Sequence, residues 1–261
     1  MEWSNAILLI VVSFGASWLT FFSGFGLGTL LTPVFYLILK DLTLAIAATA
    51  VVHLLNNLFK FALMQRNVNW KIVIPFGIAA VPAAALGAYL ISHFTDLTLF
   101  QYLIFGSTKS VKLINLVFGI VLIGFALIEL VKKWSIAFSQ QSLWLGGLIS
   151  GFFGGLSGHQ GALRTAFLVK YKLKKQAFIA TGIVIALVID FTRIPMYFKE
   201  TPISSLQAEW PIIITSVSAA ILGAILGKLF LKKIQFNVLT IFISIGMIIF
   251  GLALVLGFLE K

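Results

Sequence analysis

The chain has no cysteine. Disulfides, thiolate nucleophiles, thiolate metal sites and sulfur-relay chemistry are therefore excluded, and the absence leaves the redox compartment open. Charge is nearly as scarce. Asp, Glu, Lys and Arg make up 10% of the 261 residues, where a soluble domain carries about 25%. The remaining composition, 60% hydrophobic with a mean hydropathy of +1.08, points to an integral membrane protein. Acidic side chains are the rarer sign, 8 against 19 basic, for a net charge of +11. No basic domain gathers these charges. They sit in short loops between apolar runs, as the positive-inside rule expects of a polytopic helical protein, so a nucleic-acid partner is excluded.

The apolar runs cover about 6–39, 42–64, 70–91, 113–131, 143–169, 176–198, 210–230 and 236–258. Most match one bilayer crossing of about 20 residues. Two are too long: at about 1.5 Å per residue, a single helix over 6–39 would reach roughly 50 Å and one over 143–169 roughly 40 Å, against a hydrocarbon core of about 30 Å. Each is expected to break at its glycine cluster, SGFGLGT at 23–29 and GGLSGHQG at 154–161. Met1, Glu2 and Trp3 lack the basic start of a cleaved signal peptide, so the N-terminus is expected to be retained. Leu97 to Phe105 is apolar but too short to cross, and residues 92–112 stay unassigned, at the interface or dipping in.

The two halves echo each other. AIAAT at 45–49 recurs as AFIAT at 177–181, AAALGA at 83–88 as AAILGA at 219–224, Pro75 as Pro211, and Gly28 with Leu30 as Gly161 with Leu163. We read two membrane repeats, 1–131 and 143–261, joined by a polar basic junction at 132–142. If each broken segment is a re-entrant pair, each half makes three further crossings, and that odd number inverts the second half. One side would then hold Arg66, Lys71, Lys132, Lys133, Lys170, Lys172, Lys174, Lys175, Lys228, Lys232 and Lys233; the other would hold Lys40, Lys109, Lys112, Lys199 and Lys261. Single crossings give a less uneven split. The pieces 143–156 and 161–169 are also each too short to cross alone. The expected architecture is an all-α polytopic fold of two inverted repeats, each with a glycine-broken re-entrant helix pair and three transmembrane helices. Both termini are expected outside the cytoplasm.

Broken helices meeting near the midplane can bind an anion, because the first N–H groups of a helix lack internal partners and the macrodipole is positive there. Glycine clusters also serve plain close packing. Two clusters in equivalent positions favour a site. The segments SGFGLGTLLTPVF at 23–35, its glycine-rich echo at 152–167, and the LGA helices at 86–88 and 222–224 resemble the sulfite exporter TauE/SafE family over nearly the whole chain. The resemblance implies a duplicated membrane fold that moves sulfite, sulfonates and related anions. Gly24, Gly26, Gly28 and Pro33 follow the family's glycine-then-proline pattern. In the second half His159 and Gln160 interrupt the glycines, and Ala166 stands at the proline position.

Lys60, Arg164, Asp190 and Arg193 lie inside apolar runs, where each would cost about 2.5 to 3.5 kcal/mol facing lipid. Asp190 and Arg193 are three residues apart and can pair on one helix face; a functional reading adds that Asp190 takes a proton and frees Arg193 for the anion. Arg164 offers a guanidinium suited to an oxyanion, unless it reaches a headgroup or a carbonyl instead. His53, Asn56, Asn57 and Lys60 form one polar stripe that serves as interhelical glue or lines a pathway, and Lys60 is near enough to a helix end to snorkel. Glu129 reads as a solvated ion pair with Lys132 and Lys133.

The expected substrate contacts are the backbone at Gly26, Gly28, Thr29, Gly158 and Gly161, with Arg164 as charge partner and His159, Gln160 and Asn57 as orienting donors. His53, Asp190 and Arg193 are the coupling or gating candidates, with protons as coupling ion. No metal or cofactor is expected, since His53, His93 and His159 lie on separate segments. An intramembrane enzyme would need paired carboxylates or a motif such as HExxH or GxSxG, and neither occurs. A passive anion channel shares the same features as a carrier. The reading is an inner-membrane secondary transporter, an exporter of sulfite, an organosulfonate or a similar small anion.

Overall fold

The computed structural model describes residues 3–20, 27–94, 97–104, 106–130, 143–200, 203–229 and 237–259. Its elements are α1 (Trp3–Thr20), α2 (Leu27–Leu39), α3 (Leu42–Met64), α4 (Trp70–His93), β1 (Thr98–Ile104), β2 (Ser107–Lys112), α5 (Leu113–Leu130), α6 (Leu143–Ser157), α7 (Gly161–Leu168), α8 (Lys175–Glu200), α9 (Ile203–Ala208), α10 (Trp210–Leu229) and α11 (Asn237–Val255). Helices dominate because hydrocarbon offers no partner to backbone polar groups, and a helix satisfies them within one segment. The stretches Leu42–Asn67, Trp70–Ile91, Lys175–Lys199 and Trp210–Leu229 are long and apolar enough to cross a membrane. The expected junction at 132–142, Gly24, Gly26 and the side chain of Glu129 lie outside the described residues.

The second long apolar run is interrupted where its glycines cluster. There α6 ends at Ser157 and α7 starts at Gly161. Gly158 between them takes φ +79°, a left-handed turn that side chains resist. The chain then folds back along α6. Ser150 Oγ donates to Gln160 O at 3.2 Å, and a Cβ on Gly146 would stand 2.7 Å from the Phe167 ring. The pair α6 and α7 is therefore an antiparallel helical hairpin, and α2 likewise packs on α1.

Helices from the two halves interleave. Against α8, α3 runs antiparallel: His53 meets Asp190, and Asn67 just past the end of α3 donates to Gln176 at the start of α8 at 3.5 Å. Antiparallel packing also joins α5 and α11, where a Cβ on Gly119 would stand 2.7 Å from Gly251 O and 2.8 Å from Val255, and one on Gly251 would meet Ile123 at 2.7 Å. By contrast α4 and α6 run parallel, with Gly147, Gly151 and Gly155 set against the backbone of Phe76, Ala80 and Ala84 in turn. Gly87 returns the contact to Phe152 O, as Gly223 of α10 does to Phe14 O of α1. Small residues let these backbones approach without a hydrophobic driving force between them. The main buried core centres on Phe35, Ala47, Phe118, Leu122 and Ala126.

One segment left open by the sequence takes a definite form. Residues 98–104 and 107–112 are not helical: β1 and β2 form an antiparallel hairpin, with Gly106 at φ +74°. The fold is predominantly helical, with one small hairpin. The hairpin is anchored by Leu113 N donating to Leu97 O at 2.8 Å and by Tyr102 Oη donating to Leu256 O at the end of α11. The run TLFQYLI is rich in β-forming residues, a signal that a reading by crossing length alone overlooks.

Candidate functional site

Gly28 of α2 meets the break between α6 and α7 inside the molecule. Gly28 lies in the first turn of α2, and a Cβ there would stand 3.6 Å from Gly158 O, at the break before α7, and 3.5 Å from the methyl of Thr49 on α3. Thr29 beside it is buried. Gly28 of α2 and the break before α7 therefore lie side by side, and the first N–H groups of α7 have no partner within that helix. Gly26 lies outside the described residues.

The polar stripe of α3 and the ion pair of α8 meet beside this point. His53 Nδ1 donates to Asp190 Oδ2 at 2.6 Å, the only role open to a nitrogen against a carboxylate. Arg193 Nε donates to Asp190 Oδ1 at 2.9 Å, with Nη2 also 2.9 Å from that oxygen. Asn57 Nδ2 stands 3.1 Å from His53 Nδ1. All four side chains are buried, Asp190 and Arg193 at 0% and 1% exposure. The pairing of Asp190 with Arg193 follows from their spacing, whereas the bond to His53 spans 137 residues of sequence. Arg193 also reaches the break: a Cβ on Gly158 would stand 2.7 Å from its Nη1.

Arg164, in the second turn of α7, is half-buried as a residue. Its Nε and Nη1 are enclosed and have no hydrogen-bond partner. The side chain lies over Gly182 of α8, whose added Cβ would sit 3.3 Å from Nε. That position turns the guanidinium toward the protein interior rather than a headgroup. The region thus holds two guanidiniums, Arg164 and Arg193, and one carboxylate, Asp190.

Gln160 and His159 are placed less directly. Both are buried, and the Gln160 side-chain amide has no partner. Gln160 O accepts from Arg164 N at 3.0 Å and from Ser150 Oγ, so its backbone joins the two arms of the hairpin. The His159 ring packs against Phe118 and Phe125 of α5, with centroids 5.4 and 6.0 Å away. Gly161 opens α7 and is buried.

Lys60 does not snorkel. It is 3% exposed and donates to Ser17 O of α1 at 3.1 Å. Asn56 on the same face bonds Ser17 Oγ at 2.9 Å. These two are interhelical glue between α3 and α1, and the stripe divides, with His53 and Asn57 turned to α8.

Tyr197 was not foreseen. Its hydroxyl donates to Gly155 O of α6, its ring lies 5.7 Å from the Arg193 guanidinium carbon, and it lines a small cavity with Thr43, Ile46, Ile91 and Ile114. Its position four residues beyond Arg193, on the same helix face, was the available signal. Among the described residues no group of three or more His, Cys, Asp or Glu could hold a metal ion.

No curated protein and no solved structure matches this chain. The sequence model of the sulfite exporter TauE/SafE family matches residues 9–254, a span that takes in both glycine clusters, the His53, Asp190 and Arg193 cluster and Arg164, and the chain belongs to that family of membrane transporters.

Proposed function

We propose that this protein is a secondary transporter that exports a small oxyanion of the sulfite or sulfonate class across the inner membrane, by alternating access around the two breaks. The observation that carries the reading is the Arg164 guanidinium, with two enclosed nitrogens lacking a protein partner. Unpaired buried donors on a cation are costly, and an oxyanion accepts from them in the fork geometry that arginine presents. Gly28, Thr29, Gly158 and Gly161 supply backbone donors, and Asn57, His159 and Gln160 orient the ligand. Gly26 is a further backbone donor to the anion in this reading.

Antiparallel pairing of α3 with α8 and of α5 with α11 supports two inverted repeats, because each pair joins equivalent elements of the two halves. The matched contacts from Gly87 to Phe152 and from Gly223 to Phe14 support the same reading. In it, residues 1–131 and 143–261 are the repeats, 132–142 the junction, both termini are extracytoplasmic, and rocking of one repeat against the other exposes the site to each side. His53, Asp190 and Arg193 couple transport to protons: a proton taken at this cluster loosens Arg193 from Asp190 and makes it available to the anion.

The test is flux into proteoliposomes of purified protein, comparing sulfite, a sulfonate, sulfate and a carboxylate with and without a pH gradient. Saturable sulfite or sulfonate flux that follows the gradient is expected. Fast, non-saturating anion leak would replace the carrier by a channel, and no flux of any of the four would overturn the reading.

A further inference from the structure

Thr49 and Thr181 occupy matching places in AIAAT and AFIAT, yet the fold uses them differently. Thr181 Oγ1 accepts from Asn69 N at 3.0 Å, which ties the start of α4 to α8. Threonines inside helices commonly bond back to the carbonyl four residues earlier, and here Thr192 does so to Val188 O at 2.8 Å and Thr215 to Pro211 O at 2.7 Å. Thr49 does neither. It is 2% exposed, and its Oγ1 has no partner although its own helix offers one. Its methyl packs 3.5 Å from the Cβ position of Gly28, and the hydroxyl branches from the same carbon. The unpartnered hydroxyl is thus held beside Gly28 of α2, where α2 meets the break before α7.

We infer that Thr49 is a substrate-contacting residue whose hydroxyl donates to an oxygen of the transported oxyanion at the start of α2. The inference rests on the proposed anion transport and assigns it a specificity residue. A hydroxyl in this place distinguishes a ligand that presents an oxygen acceptor from one that presents an apolar group, since an unmet polar group in a buried site penalises the wrong ligand. Thr49 thereby selects the sulfo or sulfite head rather than the organic tail for the end of the site lined by α2.

The experiment compares Thr49→Val, Thr49→Ser and Thr181→Val. It reads melting temperature in detergent with and without sulfite or methanesulfonate, and KM for flux in proteoliposomes. Valine at 49 keeps the methyl contact and removes only a desolvated hydroxyl, so without anion this variant melts at or above the wild-type temperature. Its apparent affinity and KM for either anion weaken about tenfold or more, as loss of a hydrogen bond to a charged group requires. Serine at 49 stays close to wild type. Thr181→Val melts lower without anion and keeps wild-type affinity. Wild-type affinity in Thr49→Val overturns the assignment, as does a lowered melting temperature in that variant that fully accounts for its weakened flux. Absence of both anion-dependent stabilisation and flux in the wild type overturns the transport reading itself; binding by the wild type with no change in Thr49→Val removes Thr49 alone.

Discussion

Asp190 accepts from His53 on one oxygen and from Arg193 on the other, in a place no water reaches. Removing one partner of such a pair strands the other charge. Asp190→Asn is therefore expected to cost about 3 to 5 kcal/mol of stability, measured as lowered melting in detergent, while Asp190→Leu combined with Arg193→Leu recovers much of the loss because neither charge remains. Histidine is the side-chain type best suited to exchange a proton near physiological pH, and His53 has Asp190 and Asn57 against it, with Arg193 on the far oxygen of Asp190 and Arg164 also in the site. Under proton coupling, His53→Gln abolishes the pH dependence of flux, and a variant that keeps pH-driven flux would separate the cluster from coupling. Arg164→Ala is expected to weaken anion affinity at least tenfold while leaving melting near wild type, since its Nε and Nη1 hold nothing in the fold. Equal anion affinity in that variant would remove Arg164 from the site.

Among the helices, the α4 and α6 contact is the most intolerant of added bulk. Gly147, Gly151 and Gly155 each leave no room for a Cβ, and what they meet is backbone rather than a flexible side chain. Gly151→Val is expected to cost about 3 kcal/mol or to prevent folding, read as loss of monodisperse protein on extraction. Gly124 provides the contrast: nothing lies within 4 Å of a Cβ there, so Gly124→Ala is expected to be neutral or to stabilise by up to about 1 kcal/mol through helix propensity. The difference between these glycines comes from what the facing helix presents. In the chain both read as small residues in an apolar run, and the spacing of four from 147 to 155 was the cue that a face is involved. The hairpin at 98–112 shows the opposite case, where local β-forming composition was sufficient and a crossing-length criterion hid it.

At the scale of the whole molecule, the ends of α3 and the start of α8 lie together through Asn67 and Gln176. The start of α3 and the end of α8 share the other end with the hairpin side of α4 and α5. In the proposed topology this predicts accessibility. In a chain without native cysteine, Arg66→Cys and Lys172→Cys should react with an impermeant maleimide only from the cytoplasmic face, and Thr108→Cys and Lys199→Cys only from outside; the reverse pattern would invert the orientation, and labelling of one pair from both faces would break the two-repeat topology. The membrane-spanning helices, the break before α7 and the Asp190 and Arg193 pair could all be read from the chain, because each rests on composition or on contacts within a few residues. The bond from His53 to Asp190, the burial of Lys60 against α1, the meeting of Gly28 with Gly158 and the different fates of Thr49 and Thr181 could not, since each depends on which helices pack together and at what register. Periodicity tells which residues share a face of one helix; which face of another helix it meets is settled by packing over the whole fold, where the fit of small residues against backbone selects one arrangement.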